Sequence, residues 1–365
     1  MTRKLLAAGL ALLAATIAAA APADWKQALP GYVLSLPHDH VSHPDYRLEW
    51  WYYTGNVRSR EGRRFGYQLT FFRIGVEATP RNPSRFAVRD LFIAHAALTD
   101  GTGRRYLSGE QLNRAGADTA GASTTAYRVW NQDWSASADG GQHRLVASVS
   151  PFAFDLRLRE VAAPALHGDG GYSRKGTAVG NASEYYSLTR MPTSGAVTLD
   201  GTRFDVEGDS WMDHEFGTTF LEPEQLGWDW FSLQLDDKTD VMLYRFRRAG
   251  GVPDPWSSGT VAPASGPSRH LTAADIVLVP GRRWKSPATG ADYPVEWSID
   301  VPLEGLHLSV TPVLDTQELV GSRTGVKYWE GAIDVAGTHR GRSVRGQGYL
   351  EMTGYVGKAM GEILK

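Results

Sequence analysis

The sequence predicts an all-β protein of sandwich or barrel type in which one β-unit occurs twice. Three observations carry that prediction. Helical periodicity is nearly absent beyond the first 20 residues, while short alternating runs recur: FGYQLTFFR (65–73), HRLVASVS (143–150), FAFDLRLR (152–159), WDWFSLQL (228–235) and VMLYRFR (241–247). Side chains on a strand alternate between faces, so such runs mark half-buried strands. Turn material separates them, including Asp139-Gly140-Gly141-Gln142 and Asp236-Asp237-Lys238. The strand patterns also repeat. WYYTGNV, a turn and GYQLTFFR (51–73) match WFSLQL, a turn and VMLYRFR (230–247). GAVTLDGTRFDVEGDSWMDHEFG (195–217) lines up with GAIDVAGTHRGRSVRGQGYLEMTGY (331–355), one two-residue insertion apart. Gly195 then meets Gly331, Trp211 meets Tyr349 and Asp213 meets Glu351, so two copies join near 218–227.

The chain opens with Arg3 and Lys4, an apolar stretch from Leu5 to Ile17 and Ala18-Ala19-Ala20. That pattern is a secretory signal peptide (1–20), with cleavage expected near Ala20 and a periplasmic or secreted product. No later segment reaches transmembrane length, so the mature chain is not expected to be an integral membrane protein. With no cysteine it has neither disulfides nor a lipid-acceptor thiol, and its stability must come from packing. The 38 basic and 40 acidic residues leave a net charge of −2, and no basic block marks a nucleic-acid partner. About 345 mature residues suggest two domains, 21–222 and 223–365.

Next comes HDHVSHPDYRLEWWYY (38–53). His38, His40 and His43 offer a weak metal-binding alternative to a polar loop, since neither His-Glu-x-x-His nor a cysteine pair supports it. The aromatic run behind them places Trp50 and Tyr52 on one strand face, and Glu49, Trp51 and Tyr53 on the other. Segments 113–125 and 250–270 read as surface loops. A third loop, 162–185, is rich in Gly and holds His167 and Asp169. His143, His270, His307 and His339 are isolated and expected at the surface.

The run with the most chemistry is GDSWMDHEFG (208–217). On a strand, Trp211, Asp213 and Glu215 point one way and Met212, His214 and Phe216 the other. Ionisable groups enter apolar surroundings only when paired or used. The second copy keeps an acid (Glu351) but has Met352 in place of His214, and asymmetry between copies is where a grafted function would lie.

Taken together, HPDYRLEWWYYTGNV, GYQLTFFR, YYSLTRM, GDSWMDHEFG, GWDWFSLQL and GYLEMTGY resemble the AttH/carotenoid 1,2-hydratase-like family over about 40–357. The resemblance implies two lipocalin-like antiparallel β-barrel domains packed together. It also implies one of two functions. One is binding of a large apolar, lipid- or isoprenoid-like molecule, accessory to an ABC-transporter permease; Trp50, Trp51, Tyr53, Trp211, Phe216, Trp228 and Trp230 are the candidate ligand contacts. The other is hydration of an alkene without a cofactor. There Asp213 would be the acid, His214 would accept a proton from water, and Tyr244 matches a third hydratase position. Export favours the first, because carotenoid substrates arise from cytoplasmic precursors.

Overall fold

In the computed structural model, residues 25–79, 81–84, 87–219 and 221–357 are described; the signal segment 1–20 lies outside them. The regular structure is β, with four single-turn 3-10 elements and no α-helix among the described residues. The first sheet contains β1 (Leu48–Ser59), β2 (Arg64–Gly75), β3 (Asp90–Asp100), β4 (Arg105–Arg114), β5 (Ala120–Ala122), β6 (Arg128–Asn131) and β7 (Trp134–Asp139). It continues with β8 (Gln142–Val149), β9 (Phe152–Arg159), β10 (Ala165–Leu166), β11 (Tyr172–Arg174), β12 (Ala182–Leu199) and β13 (Thr202–Thr219). Its order is 4-3-2-1-13-12-9-8-7-6-5, all antiparallel, with β10 and β11 added beside β12. The edges curl towards each other. Asn131 of β6 donates to Phe92 O (3.1 Å) and Gln111 O (3.4 Å), and accepts from Asn113 (2.6 Å). This nearly closes a barrel.

The second sheet contains β14 (Gly227–Leu235), β15 (Asp240–Arg247), β16 (Ser258–Ala262), β17 (Arg269–Thr272) and β18 (Val277–Pro280). A small β19–β20 hairpin (Arg283–Lys285, Asp292–Pro294) intervenes. Then follow β21 (Trp297–Val301), β22 (Leu306–Pro312), β23 (Glu318–Val320), β24 (Lys327–His339) and β25 (Arg342–Thr353). The order is 17-16-15-14-25-24-22-21-18, a half-barrel. The paths 2-1-13-12-9 and 15-14-25-24-22 coincide, so the duplication is structural.

Register corrects two details of the sequence alignment. Tyr52 pairs with Asp213 and Trp230 with Glu351, so Trp50 corresponds to Trp228 and Tyr52 to Trp230, one residue away from the Trp51–Trp230 match. Val206 faces Gly195 and Val344 faces Gly337, so the counterpart of Gly195 is Gly337 rather than Gly331. Both glycines are required by close approach. A Cβ on Gly195 would lie 2.2 Å from Asp155 O, and one on Gly337 2.0 Å from His307 O. His143 is a third correction. It is buried, held by Tyr53 (2.8 Å) and Glu160 (2.8 Å), because its strand position turns it inward.

Each sheet closes on its own apolar core. In the first, Trp51, Tyr53, Phe65, Tyr67, Phe71 and Met212 are among the side chains that fill the interior. In the second, Phe231, Trp297, Trp329 and Met352 are among them. The interiors are therefore packed, and room for a ligand lies where the outer faces of β1, β2 and β13 meet β14, β15, β24 and β25. The seam is close: a Cβ on Gly66 would stand 2.6 Å from the Ala332 Cβ and 2.8 Å from the Tyr349 hydroxyl. Gly66→Val is expected to overpack it, lowering stability by about 1–3 kcal/mol in chemical denaturation while the β-type circular dichroism persists. An unchanged midpoint would mean the two halves are not pressed together there.

Candidate active site

Strand alternation divides the polar run of β13 between two environments. Asp213 and Glu215 face the seam, while His214 and Phe216 face inward. In the seam the surrounding wall is aromatic: Trp50, Tyr52 and Phe72 from the first half, Trp228, Trp230, Tyr244 and Phe246 from the second. The cavity has about 130 Å³ of room. Where one water needs about 10–15 Å³ by the same measure, this holds about ten waters or an apolar group of that size.

Asp213 is the most heavily engaged group in that wall. Its Oδ1 accepts from the Trp211 indole (2.6 Å) and the Ser187 hydroxyl, and its Oδ2 from the Tyr185 hydroxyl (2.6 Å). Burial nonetheless pushes the carboxyl up to about 7, against the three donors and with help from the nearby Glu215 charge. Glu351, its counterpart in the second half, accepts from the Trp228 indole (3.0 Å); burial, with Asp213 and Glu215 adding to it, also pushes it up to about 7. Glu330 is buried and raised well above the usual carboxylate range, first by desolvation and then by Glu351. The Tyr52 hydroxyl donates to it at 2.7 Å. Among the described residues, the one ammonium on the lining is Lys175, 2.7 Å from Glu215 and 4.6 Å from the centre of the Tyr244 ring. Burial works against its charge, but Glu215 keeps its pKa above the ordinary lysine value. Neutral carboxyls beside aromatic faces can give a proton to carbon or oxygen and stabilise the cation that results.

His214 belongs to a different network. Its Nε2 meets Glu49 at 3.0 Å, its Nδ1 meets the Tyr186 hydroxyl at 3.1 Å, and its ring stacks on Trp51 with centroids 5.1 Å apart. Burial lowers its pKa, so the ring is neutral near pH 7. Glu49 is fully buried, which alone would raise it. Hydrogen bonds from His214 and His43, with Arg73 at 3.0 Å, hold it well below the carboxylate range instead. Among the described residues, His43, Glu49 and His214 are grouped closely enough to hold a metal ion. Arg73 and Ser42 already engage Glu49, and Asp39 engages the other nitrogen of His43, so the network is satisfied as it stands.

Of the catalytic candidates, Asp213 and Tyr244 both line the cavity, and His214 does not. Of the candidate ligand contacts, Trp50, Trp228 and Trp230 line it, and Trp211 packs edge-on against Trp230 behind it (6.2 Å between centroids). Trp51 and Tyr53 lie in the first barrel's core, and Phe216 lies inward under the stacked His43 ring. Among the histidines weighed for metal, His38 points to solvent and His40 bonds Tyr186 (2.6 Å), leaving His43 alone beside His214. Sequence reasoning missed Lys175, Tyr185, Ser187, Glu330 and Tyr52. Lys175 comes from the segment read as a Gly-rich loop, which returns as β11 beside β12 and folds over the crevice. Nothing in its spacing pointed there.

A family model described as AttH-like matches residues 27–355. Curated relatives include the kievitone hydratase of Fusarium solani subsp. phaseoli, 23% identical over 248 residues that span 66% of this chain and 69% of that protein. The dehydratase asqC of Emericella nidulans is 21% identical over 227 residues, 57% of this chain and 60% of that protein. Among solved structures, the fold is similar to an AttH-type protein from Nitrosomonas europaea: TM-score 0.82, 34% identity, 91% of this chain and 100% of that one. It is also similar to the kievitone hydratase from Nectria haematococca: TM-score 0.70, 15% identity, 91% and 97% covered. With two packed β-barrel domains and a match over nearly its whole described length, the chain belongs to the AttH-like family.

Proposed function

We propose that this protein is a cofactor-independent hydro-lyase that adds water to, or removes it from, an apolar unsaturated molecule lodged between the barrels. The observation that carries this reading is Asp213, a buried carboxyl raised to about 7 in the wall of an aromatic cavity. In the hydration direction, the π pair of the alkene takes the Asp213 proton. A C–H bond forms and a cation is left on the neighbouring carbon. Trp50, Trp228 and Trp230 present ring faces and edges to that charge. A cavity water attacks the cation, and its surplus proton passes to a carboxylate, which is Asp213 itself or Glu351 across the seam. His214 has no part in this step, because it faces the first barrel's interior. The names of the two curated relatives, a hydratase and a dehydratase, describe the two directions of one bond change and support the reading.

The aromatic lining also favours a second reading: a periplasmic protein that binds a lipid- or isoprenoid-like ligand and serves an ABC-type exporter. Export belongs to that reading, and N-terminal sequencing of protein from the periplasmic fraction should begin just after Ala20. A start at Met1 in the cytoplasmic fraction would remove it.

Three outcomes test the hydro-lyase. Incubation with acyclic isoprenoid or prenylated aromatic alkenes in oxygen-18 water should give alcohols carrying the label. Asp213→Asn should lower turnover by about 10²–10⁴-fold, the usual contribution of a general acid, while ligand binding persists. The rate should also be level below pH 7 and fall above it, because the acid must be protonated. Absence of labelled alcohol from every such alkene would leave binding as the function, whereas full turnover by Asp213→Asn would remove Asp213 as the acid.

The same carboxyl makes a stability prediction. Its folded-state value lies above the unfolded one, so neutral burial is favoured at low pH. That contribution is lost as pH rises from about 4 to about 7. Across that window the wild type should lose on the order of a few kcal/mol relative to Asp213→Asn, then run parallel to it above pH 7. Parallel curves from pH 4 upward would mean that Asp213 is ionised in the fold.

A further inference from the structure

His167 is buried at the junction of the two halves, behind the cavity-lining Tyr185, and does not itself line the cavity. It lies in the segment before β11, its ring against Tyr185 with centroids 4.2 Å apart and its backbone N–H bonded to Tyr185 O (3.0 Å). Its Nδ1 meets the Thr260 hydroxyl of β16 at 2.8 Å, and its Nε2 meets the Ser187 hydroxyl of β12 at 2.6 Å. Ser187 in turn donates to Asp213 Oδ1. The proposed acid is thus connected through one imidazole to the opposite half.

Counting lone pairs gives this chain a direction. An indole N–H only donates, so Trp211 occupies one lone pair of Asp213 Oδ1. Trp230 donates to the Tyr185 oxygen at 3.0 Å, which turns the Tyr185 proton towards Asp213 Oδ2. When His167 carries its proton on Nε2, that N–H fills a lone pair of Ser187 and the Ser187 proton fills the second position on Oδ1. Oδ1 is then saturated with donors, while Oδ2 has accepted one. The opposite tautomer would reverse Ser187 and draw the carboxyl proton back onto Oδ1.

We propose that His167 is a positioning residue: as the Nε2–H tautomer between Thr260 and Ser187, it aims the Ser187 hydroxyl at Asp213 Oδ1 and leaves Oδ2 as the oxygen that presents the acidic proton to the substrate. The inference rests on Asp213 being the acid. Burial keeps the imidazole neutral, well below the ordinary histidine value, with Lys175 and His270 adding to that effect. The other ionisable groups facing Asp213 are Tyr52, Glu215, Tyr185, Glu330, Glu351 and Lys175.

Nitrogen-15 NMR of the histidine-labelled wild type reads the tautomer directly, with no need for a substrate. His167 should show a protonated Nε2 and an unprotonated Nδ1, unchanged down to pH 5. A protonated Nδ1, or a titration in the ordinary histidine range, would overturn the assignment. Two variants test the consequence. His167→Gln can still place an N–H near Ser187, whereas His167→Phe cannot. His167→Phe should lower kcat about tenfold, the scale of one hydrogen bond to a charged group, with KM little changed. It should also move the alkaline fall of the rate to higher pH, since a donor to the carboxylate is no longer held; His167→Gln should restore most of both. Equal losses in the two variants, or an unmoved pH profile, would show His167 to be only a packing residue. Failure of the acid assignment itself would appear separately, as turnover retained by Asp213→Asn.

Discussion

Removing carboxyl groups from water without giving each a cation is the constraint on which the site depends. A lone ionised carboxylate in such a place is costly, so the fold must supply either a counter-charge or a proton. The two environments of β13 resolve it in opposite ways. Inside the first barrel Glu49 keeps its charge, because Arg73, His43 and His214 surround it. In the seam, Asp213 and Glu351 have hydrogen-bond donors but no arginine partner among the described residues, and Lys175 is paired with Glu215. Desolvation therefore dominates, and both acids hold a proton near neutrality. Asp213 and His214, adjacent on β13, enter these two environments solely by facing different ways.

The duplication explains why the acids meet where they do. Tyr52, Asp213 and Ser187 lie side by side across β1, β13 and β12; Trp230, Glu351 and Glu330 lie side by side across β14, β25 and β24. The two triplets face each other and exchange hydrogen bonds. Tyr52 donates to Glu330, and Trp230 reaches Asp213 by way of Tyr185. A single unit would expose this face to water and leave its acids at ordinary pKa values. Pairing the units desolvates both triplets at once.

Much of this was legible in the sequence, for a definite reason. Period-two alternation fixed the opposite facing of Asp213 and His214, and aromatic strands with Phe-Arg endings exposed the repeat. What the pattern could not supply was register. In EWWYY every position is apolar or aromatic apart from the glutamate, so Trp51 and Trp50 are equally good partners for a tryptophan in the second copy. Only the cross-strand pairing assigns Trp50 and Tyr52 to the seam and Trp51 to the core. Tyr185 and Ser187 lie in YYSLTRM, a stretch that marks the family resemblance but carries no sign that these two side chains reach Asp213. Lys175 and His167 arrive on a Gly-rich segment whose path depends on tertiary contacts with β12. His143 looked isolated because its partners, Tyr53 and Glu160, are distant in sequence.

The asymmetry between the copies then separates stability from function. Met352 stands where the first half has His214, and it is simply core, so the first barrel's histidine–glutamate network belongs to that barrel's own interior. Around the seam the differences are of another kind. Asp213 has Ser187 beside it and, through that hydroxyl, His167; Glu351 has Glu330 in the equivalent place. One acid is held by a chain of neutral hydrogen-bonding groups, and the other sits beside a second carboxyl, Glu330, whose own proton affinity it raises. Two groups of the same chemistry and nearly the same pKa thereby become inequivalent. Such a pair suits hydration and dehydration alike, since one group can give a proton while the other receives it.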